Sequence, residues 1–237
     1  MSEPLVILPG LMCDGRMFGA QIEALAAQVI DGFYGGADSI GAMADYALAR
    51  APGRFALMGH SMGARVALEV WRRAPARVAR LALADTGVHG VKPGEADKRY
   101  GLRDLGRAEG FDALVDAWLP PMIGPVHREN PRLYGDLRAM VLDAGQAVYE
   151  AQIAALLGRP DAEAVVATVR CPLFAIVGAD DAWSPVAQHE AIVAAVPGAE
   201  LRVIAGAGHM APAEAPEAFN AALLPFLAER ARSVRAR

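Results

Sequence analysis

Ser61, Asp181 and His209 stand in three glycine-containing segments whose residue types could together carry out nucleophilic chemistry. A serine hydroxyl is a weak nucleophile at neutral pH. It becomes reactive when a histidine within hydrogen-bond reach accepts its proton and a carboxylate orients that histidine. The three residue types therefore predict acyl transfer, provided that the fold brings these distant segments together.

The segment around Ser61 has the pattern of a sharp turn between a strand and a helix. Residues 59–63 read GHSMG, which matches the GxSxG pattern of a nucleophile elbow. The apolar run Phe55–Met58 before it is typical of a buried strand, and apolar residues recur after it at helical spacing until Pro75. A glycine-rich turn with an incidental serine is the alternative, but this pattern of strand, turn and helix favours the elbow.

Composition narrows the class of protein. The chain has 237 residues with 54% hydrophobic residues, a net charge of −4 and no segment that resembles a linker, which predicts one globular unit. Neither disorder nor a nucleic-acid-binding surface is indicated. Cys13 and Cys171 are far apart and lack metal-binding spacing, which suits a reducing compartment. We expect no metal and no organic cofactor.

The two ends of the chain bear on localisation. The first apolar run, Leu5–Leu8, has no basic segment before it and is too short for a signal sequence or a membrane span. This predicts a cytoplasmic protein without a membrane partner. The arginine-rich end, Arg230–Arg237, is interpreted as a solvated helix end rather than a tether to nucleic acid or membrane.

Strand and helix patterns alternate in the two outer parts of the chain, which predicts a mostly parallel sheet with helices on both faces. The predicted strands are Leu5–Leu8, Gln28–Tyr34, Phe55–Met58, Val78–Ala84, Leu173–Val177 and Leu201–Ile204. The predicted helices include Phe18–Ala27, Ile40–Arg50, Ala187–Ala195 and Pro216–Arg230.

The alternation fails in the middle of the chain. No strand pattern stands out between about Val88 and Val165, and helices are predicted at Gly110–Trp118, Arg132–Asp143 and Tyr149–Leu157. We therefore predict an α/β core formed by residues 1–87 and 166–237, with residues 88–165 inserted as a helical cap in one structural unit.

Four motifs make the chain resemble the α/β-hydrolase fold superfamily over nearly its whole length. They are LPGL near the start, GHSMG, the GxxDxxxP run of residues 178–185, and GAGHMAPAEAPEAF at residues 206–219. The resemblance implies Ser61 as nucleophile, Asp181 as acid and His209 as base, in the usual chain order. Asp180 is the rival acid, and Asp85 is a further alternative because some members of the superfamily carry the acid there.

The resemblance also implies an oxyanion hole formed by backbone amides. The amide of Met62 follows the nucleophile, and the amide of Leu11 follows the first strand. Many relatives have His-Gly where this chain has Pro9-Gly10, and a second glycine where it has Ala64. A backbone donor does not depend on the histidine side chain, so we retain Leu11 as the second donor.

The function that we expect is hydrolysis of a small carboxylic ester through an acyl-enzyme. Lactonase, thioesterase and carbon–carbon bond hydrolase activities use the same residues, and a ligand-binding protein without catalysis is the alternative of another class. Candidate contacts with a small ester or lactone are His60, Trp118, Met122, His127 and Met210. The pattern gives no oligomeric state.

Overall fold

The chain alternates between strands and helices at both ends and is helical in the middle. The computed structural model describes residues 3–228. The strands are β1 (Leu5–Leu8), β2 (Gln28–Val29), β3 (Phe55–His60), β4 (Val78–Ala84), β5 (Leu173–Gly178) and β6 (Glu200–Ile204). The α-helices are α1 (Gly19–Leu25), α2 (Ile40–Arg50), α3 (Met62–Arg73), α4 (Glu95–Glu109), α5 (Phe111–Trp118), α6 (Pro131–Leu157), α7 (Glu163–Val166), α8 (Val186–Ala194), α9 (Ala211–Glu214) and α10 (Pro216–Ala228).

The six strands form one parallel sheet in the order β2-β1-β3-β4-β5-β6. Strands β3, β4 and β5 are buried along their whole length, which explains their near-continuous apolar sequences. Their carboxyl ends lie at one edge, where His60 pairs with Ala84 and Gly178 pairs with Ile204. Loops that follow neighbouring strands therefore meet at this edge.

Helices cover both faces of the sheet, as the alternating pattern predicts. Helix α3 packs on β3 and β4 and against α2, while α1 packs against α10. Helix α3 is buried from Met62 to Trp71, so even its polar residues Arg65 and Glu69 lie inside the structure. The predicted α/β class with a parallel sheet is confirmed.

The described residues between β4 and β5 form helices and no strand, and these helices differ in detail from the predicted ones. Helix α4 was not predicted, because Glu95–Glu109 is mostly polar and carries little apolar periodicity. The two helices predicted at Arg132–Asp143 and Tyr149–Leu157 form the single helix α6, which is kinked at Gly145 with a φ of 77°.

Two other elements differ from their predictions. The strand predicted at Gln28–Tyr34 pairs only at Gln28 and Val29, and Phe33–Gly36 forms a 3-10 turn whose backbone turns back through left-handed conformations. Apolar residues in a short run do not distinguish a strand from a buried turn. The predicted closing helix is described as far as Ala228, and the Arg230–Arg237 prediction lies outside the described residues.

The structure also bears on the cysteines and on membrane insertion. Cys13 is buried, Cys171 is partly buried, and both are free. Across residues 3–228, no helix is both long enough and apolar enough to cross a membrane.

Candidate active site

Ser61 occupies a strained turn between β3 and α3. Its φ of 54° and ψ of −116° lie outside the conformations that a serine ordinarily adopts. The Ser61 amide donates to the Ala84 carbonyl at 2.8 Å, which ties the turn to the next strand. A Cβ atom on Gly63 would overlap the carbonyl of Leu8. Glycine is therefore required there, because the turn passes directly against β1.

His209 links Ser61 to Asp181 by two hydrogen bonds. The Ser61 hydroxyl donates to His209 Nε2 at 2.8 Å, and His209 Nδ1 donates to Asp181 Oδ2 at 2.8 Å. His209 lies in the loop after β6 and Asp181 in the loop after β5, so the sheet edge brings together residues that are 148 and 28 positions apart. The hydroxyl thus meets a base whose other nitrogen is held by a carboxylate.

The surroundings of Asp181 favour its ionised form. Its side chain is fully buried, and its Oδ1 atom accepts hydrogen bonds from the amides of Trp183 at 2.8 Å and Ser184 at 2.9 Å. Burial pushes the pKa of Asp181 upward, but the charge and hydrogen bond of His209 and the two amides outweigh it and lower the pKa to about 2. An ionised Asp181 requires a proton on His209 Nδ1, which leaves Nε2 free to accept from Ser61.

The two rival acids have other environments. Asp180 is exposed, and its amide bonds to the carbonyl of Ala207. Asp85 is fully buried and accepts a hydrogen bond from the Gly178 amide at 2.9 Å. Burial, reinforced by the charge of Asp181, raises the pKa of Asp85 well above its ordinary value, which favours its neutral form. Among these three carboxylates, only that of Asp181 forms a hydrogen bond with the His209 side chain.

Glu214 holds the loop that carries His209, a role that the sequence pattern did not reveal. One carboxylate oxygen accepts from the amides of Gly124 at 2.7 Å and Gly208 at 3.0 Å, and the other accepts from Met210 at 3.0 Å. The His209 amide donates to the carbonyl of Met122 at 2.8 Å. The loop after β6 is therefore fastened to the inserted segment on both sides of His209.

His60 lies behind His209 rather than in the cavity. Its Nε2 donates to the His209 carbonyl at 2.8 Å, and its ring packs at 5.3 Å from the His209 ring. Burial and the neighbouring His209 lower the pKa of His60 to about 3, so His60 is neutral near pH 7. Its contacts position the His209 backbone.

Leu11 and Met62, the two predicted oxyanion donors, lie close to Ser61. Both residues line the cavity that contains Ser61. Within residues 3–228, the Leu11 amide has no protein acceptor, and Met62 begins α3, where amides lack intrahelical partners. The adjoining amide of Met12 donates to Gln152 Oε1 at 2.7 Å. Helix α6 thus holds the loop that presents Leu11.

The cavity above Ser61 has a volume of about 440 Å³ and is lined by residues of the core and of the inserted helices. Trp118 and Met122, two of the predicted substrate contacts, line it. His60, Met210 and His127 do not: His60 and Met210 are buried elsewhere, and His127 lies in the turn after Ile123. Residue spacing cannot show on which side of a loop a side chain lies. No metal-binding group of three or more His, Cys, Asp or Glu side chains occurs in residues 3–228.

Comparison with known proteins gives the family. Residues 5–222 match the model of the alpha/beta hydrolase family, and the chain belongs to this family. The chain is also 31% identical over 182 residues to RutD of Escherichia coli O127:H6, a protein named for carbamate hydrolysis; the match covers 74% of this chain and 66% of RutD. The chain spans between 5% and 66% of the length of the curated relatives that it matches.

Solved structures share the fold over nearly the whole chain. A thermophilic esterase from Thermogutta terrifontis, solved with malate bound, superposes with a TM-score of 0.84 and 28% identity, covering 96% of this chain and 90% of the esterase. The enol-lactonase of Burkholderia xenovorans LB400 superposes with a TM-score of 0.83 at 23% identity, covering 97% and 93% of the two chains. The first likeness supports a hydrolase, and the second shows the fold alone.

Proposed function

We propose that this hydrolase cleaves a small carboxylic ester through an acyl-enzyme on Ser61. The observation that carries the proposal is the continuous hydrogen-bond chain from Ser61 through His209 to Asp181, with 2.8 Å at each step. The esterase from Thermogutta terrifontis is the similar structure that supports ester chemistry.

The first half of the proposed reaction uses all three side chains. His209 Nε2 removes the Ser61 proton while the serine oxygen attacks the ester carbonyl. The resulting positive charge on His209 is stabilised by the buried carboxylate of Asp181. His209 then gives its proton to the departing alcohol, which leaves an acyl group on Ser61.

The second half repeats these steps with water. His209 removes a proton from a water molecule that attacks the acyl-enzyme, and the serine oxygen leaves with the proton that His209 returns. In both halves the amides of Leu11 and Met62 stabilise the negative oxygen of the tetrahedral intermediate. Met62 adds the favourable field of a helix amino terminus.

The cavity favours a small substrate, and the helices between β4 and β5 act as its cap. Its volume of about 440 Å³ is in the lower part of the range for small-molecule sites. Trp118, Met122 and Leu156 from the inserted helices supply apolar walls. Because two free cysteines fit a reducing compartment, we also propose a cytoplasmic location.

Other carbonyl substrates use the same groups, and kinetics must rank them. A panel of aryl esters, lactones, thioesters and carbamates of matched acyl length would be compared by kcat/KM. The proposal expects the esters to have the highest values. A higher value for any other class would replace the ester assignment while keeping the serine mechanism.

A fluorophosphonate probe separates an enzyme from a binding protein. The probe should label Ser61, and labelling should disappear in Ser61→Ala and in His209→Ala. A folded wild-type protein that resists the probe would favour a ligand-binding role. Full ester hydrolysis by Ser61→Ala would contradict the proposed mechanism.

A further inference from the structure

One side of the cavity above Ser61 is strongly basic. Among the ionisable side chains that line it, apart from histidines, one is acidic, Glu95, and the basic ones are Arg65, Lys92, Lys98, Arg99 and Arg159. The chain as a whole carries a net charge of −4. The basic wall is therefore a local feature that opposes the overall charge of the protein.

Arg65 and Arg159 are the buried members of this wall, and of the two only Arg159 pairs with Glu95 among residues 3–228. Arg65 is 8% exposed, and its one hydrogen bond within residues 3–228 runs from Nη1 to the carbonyl of His89 at 2.9 Å. No carboxylate among residues 3–228 lies within salt-bridge distance of Arg65. Burial, reinforced by Arg159, lowers the pKa of Arg65 to about 9, so the guanidinium remains charged at neutral pH. A buried charge without a partner is costly to a folded protein.

The carboxylates nearest to Arg65 along the chain and in the wall are engaged elsewhere. Glu69, one turn further along α3, accepts hydrogen bonds from Arg72 and Arg73 at 2.6–2.7 Å. Glu95 binds Arg99 at 2.9 Å and Arg159 at 2.6 Å. Lys92 and Lys98 are exposed at the same wall. The wall therefore keeps an excess of positive charge that faces the cavity.

We propose that the cavity binds a substrate that carries an oxyanion group, a carboxylate or a phosphate, which pairs with Arg65 and the basic wall while its ester lies at Ser61. The planar guanidinium can bind such a group through two parallel hydrogen bonds. This inference specifies the substrate class of the proposed esterase and rests on that function for the position of the ester.

Ser61 and Arg65 line the same cavity of about 440 Å³, so a small substrate can reach both residues. A short chain of a few carbon atoms between the reacting carbonyl and the oxyanion would reach both residues. Half-esters of short dicarboxylic acids have this form.

The first experiment measures binding without catalysis. Ser61→Ala protein would be titrated by calorimetry with monomethyl adipate, butyl phosphate and the neutral dimethyl adipate. We expect at least one of the two anions to bind about tenfold more tightly than the neutral diester, because only the anions pair with the basic wall. Tighter binding of monomethyl adipate identifies a carboxylate site, and tighter binding of butyl phosphate identifies a phosphate site.

Variants of the basic wall test whether Arg65 is responsible for binding the anion. Adding Arg65→Met to Ser61→Ala should weaken binding of the preferred anion about tenfold. Arg107→Met is the matched control, because Arg107 pairs with Glu150 on the surface and does not line the cavity. If Arg65→Met fails to fold, the exposed pair Lys92→Met/Lys98→Met provides the same test with a smaller expected loss. Equal binding of anions and neutral diester, or binding unaffected by these substitutions, would overturn the inference.

The second experiment separates this inference from the proposed function. The para-nitrophenyl half-ester of adipic acid and para-nitrophenyl hexanoate would be compared by kcat/KM in wild type and in Arg65→Met. The ratio between the two substrates should favour the half-ester in wild type and fall in the variant. Anion binding without hydrolysis of either ester would contradict the esterase function alone. Hydrolysis with a ratio near one in both proteins would contradict the anion site alone.

Discussion

Gln152 Oε1 accepts a hydrogen bond from the Met12 amide at 2.7 Å, and this contact joins the inserted helix α6 to the loop after β1. Both residues are buried, with Gln152 1% exposed and Met12 fully covered. Met12 adopts a φ of 57°, so the loop is held in a conformation that a methionine rarely takes. The inserted helices therefore position the proposed oxyanion donor Leu11 as well as covering the cavity.

Replacing Gln152 should reduce catalysis through this loop. In Gln152→Leu the Met12 amide loses its acceptor, and we expect kcat to fall by about tenfold or more with a smaller change in KM. Gln146→Leu, on the same helix but bonded to Arg103 and Glu150, is the control. Steady-state kinetics on an aryl ester checks the difference. An equal loss in both variants would mean that Gln152 acts only through general stability.

Substitution of each of the three candidate acids should show which one is needed for catalysis. Asp181→Asn removes the carboxylate that holds His209 Nδ1–H, and we expect kcat to fall by about 10⁴-fold. The kcat of Asp180→Asn and of Asp85→Asn should each stay within about tenfold of the wild-type value, because neither side chain contacts His209. Activity of the three purified variants on one ester is the measurement. A loss in Asp85→Asn as large as that in Asp181→Asn would require Asp85 to be the acid.

The lowered pKa of Asp181 predicts a dependence of stability on pH. The folded pKa of about 2 lies below the ordinary value of 3.8, so the ionised form stabilises the folded state above that ordinary value. This contribution should be lost as the pH falls toward the folded pKa. The difference in free energy of unfolding between wild type and Asp181→Asn should shrink by about 2 kcal/mol between about pH 5 and pH 2. Denaturant titrations at several pH values would measure it, and a constant difference would contradict the ionised carboxylate.

Removal of the Glu214 carboxylate should loosen the His209 loop. Glu214→Gln places an amide donor against backbone amides that need acceptors, and we expect a loss of about 1–3 kcal/mol in stability together with lower kcat. Glu217→Gln changes an exposed carboxylate on α10 and should leave both unchanged. Thermal unfolding and ester kinetics test the pair. Wild-type kcat in a folded Glu214→Gln protein would show that the loop does not need this anchor.

Two glycine-to-alanine substitutions should have opposite effects. Gly63→Ala drives a methyl group into the Leu8 carbonyl and should destabilise the protein and abolish activity. Gly135→Ala lies on the exposed side of α6 with open space around it, and should stabilise the protein by about 0.5–1 kcal/mol. Thermal unfolding of both variants provides the measurement. A stable, active Gly63→Ala protein would mean that the elbow can move away from β1.

Local sequence patterns were sufficient to predict the fold and to identify Ser61, Asp181 and His209 as the candidate catalytic residues. The strand, turn and helix around Ser61 could be predicted because glycine positions and apolar periodicity depend on near neighbours. Asp181 and His209 could be proposed because each follows a predicted strand, and the parallel sheet brings such loops to one edge. Helix α4 was missed because its polar sequence lacks that periodicity.

The supporting contacts depended on the tertiary structure. Residue spacing does not reveal that Gln152 holds Met12 or that Glu214 holds the His209 loop. It also does not reveal that Arg65 lines the cavity with no carboxylate partner among residues 3–228. Each contact joins groups whose distance is set by the packing of whole elements rather than by their neighbours in the chain. The sequence by itself determined the parallel-sheet fold and the residue types able to form a nucleophile, base and acid. Only the tertiary structure decided which carboxylate reaches His209, what holds the loops in place and which charges line the cavity.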